Sequence, residues 1–463
     1  MSSAALSFRS ILSAACLAIA IPLALADLLG GTHLFAAAAL VLVIAHFAFS
    51  FDQLKTNARS MLAAVTLAAG LHLLLGGKPD SFVLAASQSI YLPTLVAVMT
   101  LLRVAAQSSP TVGTAARYVV DQPPSRRFAL LAFGGHIFGI LLNVGGLQLL
   151  LHIALRRRDG VPDHVAEIQA RRMTNAILRG FVATMLWSPV GIAINLLIPL
   201  LSGMDWLDWL PYGFAMTMAW LVLGWTFDRL EPRPRSAQVR TVAPGSIGSL
   251  LAVLGLLISI TGTAGLAEAL LGMPLRAAIL IAVPAATIVW VAATTPARSD
   301  LLPRLTRLGQ DGFRALPASA NEICIMTTGG LLGLLMAQMI PAAAVSGFFS
   351  AFGLGPGGIA CLIVITMVVT GIVGISPLVT AVLFVVAAQK VDTNMPNAML
   401  MAATMAGWCC TTMLSPVTTT VSMASTANLK SASTIGLRWN GPFAITVMTL
   451  SCAGFLAFGW LAL

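Results

Sequence analysis

The chain has 463 residues, of which 58% are hydrophobic and only 9% are charged. Soluble domains are about 45–50% apolar and about 25% charged, so this composition excludes an ordinary soluble protein. The formal net charge is +10. Because the basic residues lie in short loops between apolar runs, this charge indicates a membrane surface as the partner and not nucleic acid.

A helix needs roughly 20 apolar residues to cross the hydrocarbon core of a bilayer, and such runs recur along the whole chain. The first lies within an N-terminal segment, residues 1–33. There Arg9, an apolar run and Ala24-Leu25-Ala26 are also typical of a cleaved secretory signal, but we expect an uncleaved helix. The uninterrupted crossings are predicted, in chain order, at 11–27, 34–51, 61–77, 82–103, 212–227, 246–271, 276–293, 321–345 and 441–463.

Two longer apolar stretches each contain a break near the middle, which suits two short helices that enter and leave by the same membrane face. We predict one re-entrant hairpin at 128–155, which breaks at Asn143-Val144-Gly145-Gly146. The second is predicted at 357–389, which breaks at Gly374-Ile375-Ser376-Pro377.

Two further stretches, 173–202 and 398–427, break at Ser188-Pro189 and Ser415-Pro416. We interpret these as discontinuous crossing helices, because Pro cannot continue a regular helix. The expected fold class is therefore an all-α polytopic membrane protein with eleven transmembrane helices plus two re-entrant hairpins.

The distribution of basic residues predicts the orientation. With the N-terminus in the cytoplasm, 23 of the 26 Lys and Arg residues fall on the cytoplasmic side, and only Lys78, Arg276 and Lys390 fall outside. An excess of Lys and Arg in cytoplasmic loops is the rule that sets orientation. We expect a multi-pass protein of the cell (inner) membrane.

The two broken helices resemble each other. Residues 180–190 align without gaps on 407–417 with five of eleven positions identical, and the offset is 227. Gly145 and Gly374, at the hairpin breaks, align at an offset of 229. We therefore predict two copies of one unit.

The predicted copies span residues 34–230 and 246–463, separated by a cytoplasmic linker at 231–245. Each copy has five crossings, an odd number, so the two must be inverted in the membrane. Inverted repeats with discontinuous helices are typical of secondary transporters with a site near the bilayer midplane. The alternative is that the breaks are only kinks.

The breaks suggest an anion site. Ser is a preferred N-cap and Pro is favoured at the first helical position, so each Ser-Pro pair predicts the start of a half-helix. Helix starts offer free N–H groups to an oxyanion, although each hydroxyl can instead cap only its own helix. The predicted substrate-binding residues are Asn143, Gly145, Gly146, Ser188, Pro189, Ser376, Pro377, Ser415, Pro416 and Thr418.

The same breaks offer oxygen atoms to a coupling cation, Na⁺ or H⁺. No Asp or Glu falls in a hairpin or broken helix, which disfavours a midplane acid and favours an anionic substrate that balances the cation charge. Threonines can instead bond back to their own helix. The predicted cation-binding residues are Asn143, Thr184, Gly374, Ser376, Thr411 and Thr412.

Three histidines, His46, His72 and His136, lie in apolar segments and can titrate. We single out His136, in the first hairpin, although a lone membrane histidine is more often a hydrogen-bonded packing residue. No metal-ligand cluster and no other cofactor site is expected.

The whole architecture resembles the ion transporter superfamily, which includes divalent anion:sodium symporters, arsenite permeases and the large permease subunits of tripartite carboxylate transporters. In those symporters a Ser-Asn-Thr motif marks each hairpin tip. Here only Asn143 and Ser376 keep a suitable polar group. The resemblance implies an elevator mechanism and a homodimer held by scaffold helices.

We therefore expect a secondary active transporter of a small, carboxylate-type organic anion, driven by a cation gradient. No nucleophile–base or metal cluster suggests an enzyme. The alternatives are the membrane subunit of a multi-component carboxylate transporter and an efflux permease for oxyanions or metalloids. In such an efflux permease, Cys409-Cys410 would bind a metalloid such as arsenite. The expected partners are a small anion and the bilayer, whose anionic lipids we expect to meet an interfacial helix at 299–315.

Overall fold

The computed structural model describes residues 7–78, 80–156, 163–231 and 247–461, and all regular secondary structure within these ranges is helical. Residues 1–6 and, apart from Glu231, the predicted cytoplasmic linker 231–245 lie outside the described residues. The helices in chain order are α1 (Phe8–Leu28), α2 (Leu34–Phe49), α3 (Thr56–Leu74), α4 (Asp80–Ser89), α5 (Tyr91–Gln107), α6 (Pro110–Val120), α7 (Pro124–Leu142), α8 (Val144–Ala154), α9 (Asp163–Ala183), α10 (Ile192–Leu197), α11 (Trp206–Leu230), α12 (Ile247–Leu271), α13 (Leu275–Ala293), α14 (Leu301–Ala315), α15 (Ala320–Met339), α16 (Ala342–Ala351), α17 (Pro356–Ile372), α18 (Pro377–Gln389), α19 (Asn397–Leu414), α20 (Thr419–Asn428) and α21 (Gly441–Leu461).

Many of these helices suit a bilayer. In the described part of the chain, eight helical segments are long and apolar enough to span a membrane, or nine if α16 and α17, which meet at a bend of 104°, count as one span. The predicted all-α, multi-pass architecture is confirmed. The predicted count of eleven crossings plus two hairpins stays a prediction.

All four predicted breaks interrupt helices. Asn143 separates α7 from α8, and residues 373–376 separate α17 from α18. The broken helices are α9 with α10 and α19 with α20. The predicted segment 299–315 is helical, as α14, and its place at the membrane surface stays a prediction. The predicted crossing 321–345 ends at Met339, because Pro341 interrupts the chain before α16.

The chain forms two compact units. The first unit comprises Met1–Ser108 and Ile258–Ile340, and the second comprises Ser109–Leu257 and Pro341–Leu463. Each unit therefore takes segments from both predicted repeats, 34–230 and 246–463. The division of the chain in space is thus not the division along the sequence.

In the first unit, α3 packs on α15 and α5 packs on α13. The repeat prediction matches α3 with α13 and the α4–α5 span with α15. Exchanging the two copies therefore converts one helix pair into the other. Small residues allow the close packing of α1 on α2, where Ala14, Ala20, Ala36 and Ala39 are fully buried.

The second unit shows the same exchange. The first hairpin arm α7 packs along α9, and its counterpart α17 packs along α19. The second arms cross over, so that α8 contacts α20 and α18 contacts α10. Each hairpin therefore packs on both broken helices, on one through its first arm and on the other through its second.

Glycines allow these close contacts. A Cβ atom at Gly180 on α9 would overlap the carbonyl of Ala132 on α7, and one at Gly371 on α17 would overlap the side chain of Thr411 on α19. Only residues without a side chain let the hairpin backbones approach the broken helices this closely.

Candidate site at the helix breaks

The two broken helices touch each other beside their breaks. The Oγ1 atom of Thr412 lies 3.9 Å from the Sδ atom of Met185, and the Sγ atom of Cys409 lies 3.8 Å from the carbonyl oxygen of Val182. Both pairs are separated by 227 residues, the offset of the sequence alignment. A residue that contacts its own equivalent is what a two-fold axis produces.

Each hairpin is hydrogen-bonded to its neighbouring broken helix at a constant sequence separation. In the second half, Thr411 Oγ1 donates to the carbonyl of Met367 (3.0 Å) and Ser415 Oγ donates to the carbonyl of Gly371 (2.6 Å), both 44 residues away. In the first half, His136 Nδ1 lies 3.2 Å from the carbonyl of Gly180, again 44 residues away.

The first hairpin turns on one residue. Asn143 has a φ of 50°, a conformation that Asn tolerates better than most residues. The sequence predicted a break over Asn143-Val144-Gly145-Gly146, but α8 already begins at Val144 and includes both glycines. Gly146 instead allows close packing, since a Cβ there would overlap the carbonyl of Phe138 on α7.

The second hairpin tip matches its prediction. Ser376 is the N-cap residue of α18 and Pro377 is its first residue. Gly374 has a φ of 102°, and the N–H of Ile375 donates to the carbonyl of Thr370 (3.0 Å), which closes the end of α17. Within the described residues, the Ser376 hydroxyl makes no capping hydrogen bond.

The other two Ser-Pro pairs do not begin helices, so this part of the prediction is wrong. The N–H of Ser188 still donates to the carbonyl of Thr184, and that of Ser415 to the carbonyl of Thr411, so both serines end the preceding half-helix. The next half-helices begin about one turn later. Their N-cap residues are Gly191 and Thr418.

Thr418 is therefore the capping residue of the second broken helix. Its Oγ1 accepts from the N–H of Val421 (3.5 Å) and donates to the carbonyl of Ser415 (2.8 Å). Pro416, between the two half-helices, offers no N–H to either of them. Pro189 occupies the same position in the first break.

Tryptophans of α11 satisfy the carbonyls exposed at the first break. The indole N–H of Trp209 donates to the carbonyl of Leu186 (2.8 Å), and that of Trp206 donates to the carbonyl of Trp187 (2.9 Å). The last carbonyls of a helix lack intrahelical partners, so each needs such a donor. Sequence analysis missed these residues, although buried Trp N–H groups in a membrane helix are themselves a signal, because each seeks an acceptor.

The predicted cation ligands are largely engaged with their own helices. Thr184 Oγ1 donates to the carbonyl of Phe181 (2.7 Å), Thr411 Oγ1 to that of Gly407 (2.8 Å), and Thr412 Oγ1 to that of Trp408 (2.9 Å). Their oxygen lone pairs can still accept. In the described ranges, no group of three or more His, Cys, Asp or Glu residues could hold a metal ion.

Ser188 and Ser415, equivalent in the alignment, differ in their hydroxyl groups. Ser415 Oγ is bonded to Gly371, as described above. Ser188 is 1% exposed, and no partner within the described part of the chain lies in hydrogen-bond reach of its Oγ atom. A buried hydroxyl without a partner costs free energy, so the Ser188 hydroxyl is a donor that a ligand at the first break can satisfy.

His136 is engaged through both ring nitrogens. Trp187 Nε1 donates to its Nε2 (2.8 Å), so its Nδ1 carries the proton that is shared with the Gly180 carbonyl. His46, in the first unit, is held by Ser13 Oγ (2.8 Å). These contacts favour packing roles for both histidines.

The vicinal thiols at the second break are buried. Cys409 Sγ donates toward the carbonyl of Val182 and Cys410 Sγ toward that of Ala444, at 3.8 and 3.9 Å. The two side chains therefore contact different neighbours, and the metalloid alternative stays a prediction.

Ionic contacts join the first broken helix to its neighbours. On α9, Arg172 pairs with Asp228 of α11 (2.7 Å), and Glu167 accepts from Lys430 (2.7 Å), which follows α20. The hydrogen bond from Lys430 lowers the pKa of Glu167. Arg179, one of the 23 basic residues that the orientation count assigned to the cytoplasmic side, is a buried residue of α9, and it donates to the carbonyl of Gly224 (3.0 Å).

No protein family and no curated protein matches the chain. Among solved structures, the chain is similar to the YdaH transporter of Alcanivorax borkumensis, with 14% sequence identity, 88% of this chain and 100% of that chain covered, and a TM-score of 0.48.

Proposed function

We propose that this protein is a secondary active transporter that carries a small, carboxylate-type organic anion across the cell membrane, driven by a cation gradient. One observation supports the proposal above the others. Two hairpins and two broken helices pack in one compact unit, and equivalent residues, 227 positions apart, touch beside the breaks. Paired discontinuous helices of inverted copies are the construction that transporters use for a midplane site.

The chemistry at the breaks suits an uncharged site for an anion. Ser188 offers a buried hydroxyl donor, and α18, which begins at Pro377, adds the positive end of a helix dipole. In a low-dielectric interior, such donors bind an oxyanion more strongly than they do in water. A carboxylate could thus be held without Lys or Arg, and released without breaking an ion pair.

The coupling cation, Na⁺ or H⁺, would balance the charge of the substrate. The hydroxyl oxygens of Thr411 and Thr412 keep lone pairs that can accept such an ion or a hydronium. The proposal also includes an elevator movement of the second unit and a homodimer formed through the first unit. The N-terminus would lie in the cytoplasm.

Reconstituted protein tests the function directly. In liposomes, we expect uptake of labelled mono- or dicarboxylates that depends on an imposed sodium or proton gradient. If no organic anion moves under either gradient, the proposed function is wrong.

Ser188 and Ser415 form a matched pair for the site. Ser188→Ala should reduce uptake roughly ten- to a hundred-fold, the loss of one hydrogen bond to a charged group, without lowering the melting temperature. Ser415→Ala should lower the melting temperature, since it removes the bond to the Gly371 carbonyl. Full uptake by Ser188→Ala would show that the substrate binds elsewhere.

A further inference from the structure

A groove runs along the outer face of α3 in the first unit, away from the helix breaks. It has a volume of about 790 Å³. Its floor is made of small residues, Ala63, Thr66 and Gly70, and leucines such as Leu67 and Leu74 stand beside them with about three quarters or more of their surface exposed. The groove is therefore open and apolar along most of its length.

One end of the groove carries a fixed cation. Arg59 Nη2 donates to the carbonyl of Phe51 (3.2 Å), and the guanidinium lies 4.8 Å from the centre of the Phe51 ring. Among the described residues that line the groove, Arg59 is the one with a charge. The Phe51 carbonyl occupies one of five N–H donors, so the others remain for an anion such as a phosphate.

The groove is long enough to hold one lipid chain. From Arg59 to Leu74, the last residue that lines the groove, the helix rises about 22 Å at 1.5 Å per residue, of which the part up to Gly70 takes about 16 Å. One leaflet of a bilayer contributes about half of a 30 Å hydrocarbon core. At Gly70 a Cβ atom would meet nothing within 4 Å, so the glycine leaves open space where the end of such a chain would lie.

We propose that this groove binds an anionic phospholipid, with its phosphate at Arg59 and one acyl chain along α3 as far as Gly70. A cation at one end and an apolar channel beyond it complement an amphiphile with one negative head. The positive-inside rule places Arg59 on the cytoplasmic side, where anionic lipids attract basic residues.

A second copy of the chain fits this face less well. In a membrane dimer, a two-fold axis along the membrane normal brings the same residue of both copies to the same depth. Two Arg59 guanidinium groups would then approach each other at the interface, which is unfavourable. A phospholipid instead supplies the opposite charge.

Native mass spectrometry of the full-length protein in detergent tests the proposal with added phosphatidylglycerol and phosphatidylcholine of identical acyl chains. We expect one tightly retained phosphatidylglycerol and roughly tenfold weaker binding of phosphatidylcholine. Arg59→Gln should abolish this difference between the two lipids. Equal retention of both lipids by the wild-type protein would overturn the proposal.

Gly70→Leu is the critical variant, since a Cβ atom there meets nothing within 4 Å and the larger side chain would take up space in the groove. It should lose the lipid and keep its melting temperature. Gly113→Leu, at an equally open glycine of α6 in the second unit, should bind lipid normally. Unchanged lipid retention by Gly70→Leu would contradict the proposal. So would a retained free fatty acid in place of the phospholipid, or cross-links between two copies through Thr66→Cys. None of these outcomes depends on the transport assay.

Discussion

The carbonyl of Leu186 illustrates how single residues stabilise an interrupted helix inside a membrane. It lies at the end of a half-helix, where the last carbonyls lack intrahelical partners, and the indole of Trp209 donates to it. In hydrocarbon, a carbonyl without a hydrogen bond destabilises the fold, because no water can replace the missing donor. The donors of α11 therefore stabilise the first break.

Trp209→Phe should lower the free energy of unfolding by about 1–3 kcal/mol, the cost of leaving a buried acceptor unpaired. Phe keeps an aromatic ring but has no N–H group. Thermal unfolding of the purified protein measures the effect. Trp225→Phe on the same helix is the matched control, because Trp225 is 44% exposed and should tolerate the change. Equal stabilities of the two variants would contradict the role of Trp209.

Sequence reasoning located the polar residues of the breaks but not their roles. Ser376 is a helix start as predicted, whereas Ser188 and Ser415 end the helices before them. The Ser-Pro pattern is the same in all three, and only the neighbouring hydrogen bonds distinguish them. The backbone N–H groups of Ser188 and Ser415 still donate to carbonyls four residues earlier. Of the three hydroxyls, only that of Ser415 has a partner distant in sequence among the described residues, the carbonyl of Gly371.

At the scale of whole elements, glycines decide how closely the hairpins pack. The α7–α9 contact depends on Gly180, where a Cβ atom would overlap the Ala132 carbonyl, and a backbone atom cannot rotate away as a side chain can. The apolar lengths and the midway breaks were readable from the sequence, because both are local properties of the chain. The close helix contacts were not.

Gly180→Ala should therefore displace the first hairpin and cost about 1–3 kcal/mol of stability, as overpacking does. Gly113→Ala is the control, since a Cβ atom meets nothing within 4 Å there. That variant should be slightly more stable, by up to about 1 kcal/mol, because Ala is the better helix former. Parallel melting curves would show opposite shifts, and shifts of the same sign would contradict the packing role of Gly180.

At the scale of the whole molecule, each unit is assembled from both predicted repeats. In the second unit, the repeat matches α7, α8 and α9 with α17, α18 and α19, and α10 with α20. The α7–α9 contact thus corresponds to the α17–α19 contact, and the α8–α20 contact corresponds to the α18–α10 contact. Equivalent residues then meet on the exchange axis, as Val182 and Cys409 do. The repeat boundaries themselves stay predictions.

A cross-link tests this axis. In a variant that retains Cys409 as its one native cysteine, Val182→Cys should form a disulfide under mild oxidation, because Cys409 Sγ lies 3.8 Å from the Val182 carbonyl. Mass spectrometry of the digested protein would identify the linked peptides. The same substitution with Cys410 retained instead should link poorly, since that thiol contacts the Ala444 carbonyl. Equal linkage of both variants would contradict the contact.

The sequence by itself determined the membrane class, the helical architecture, the four interruptions and the internal similarity. These follow from hydropathy, from Gly and Pro geometry and from residue identities, all of which are encoded locally. Only the tertiary structure decided which hydroxyls and carbonyls at the breaks are already bonded. That depends on partners from other helices, such as Trp209 and Gly371, because a polar group buried in a membrane protein is satisfied by whatever packs beside it.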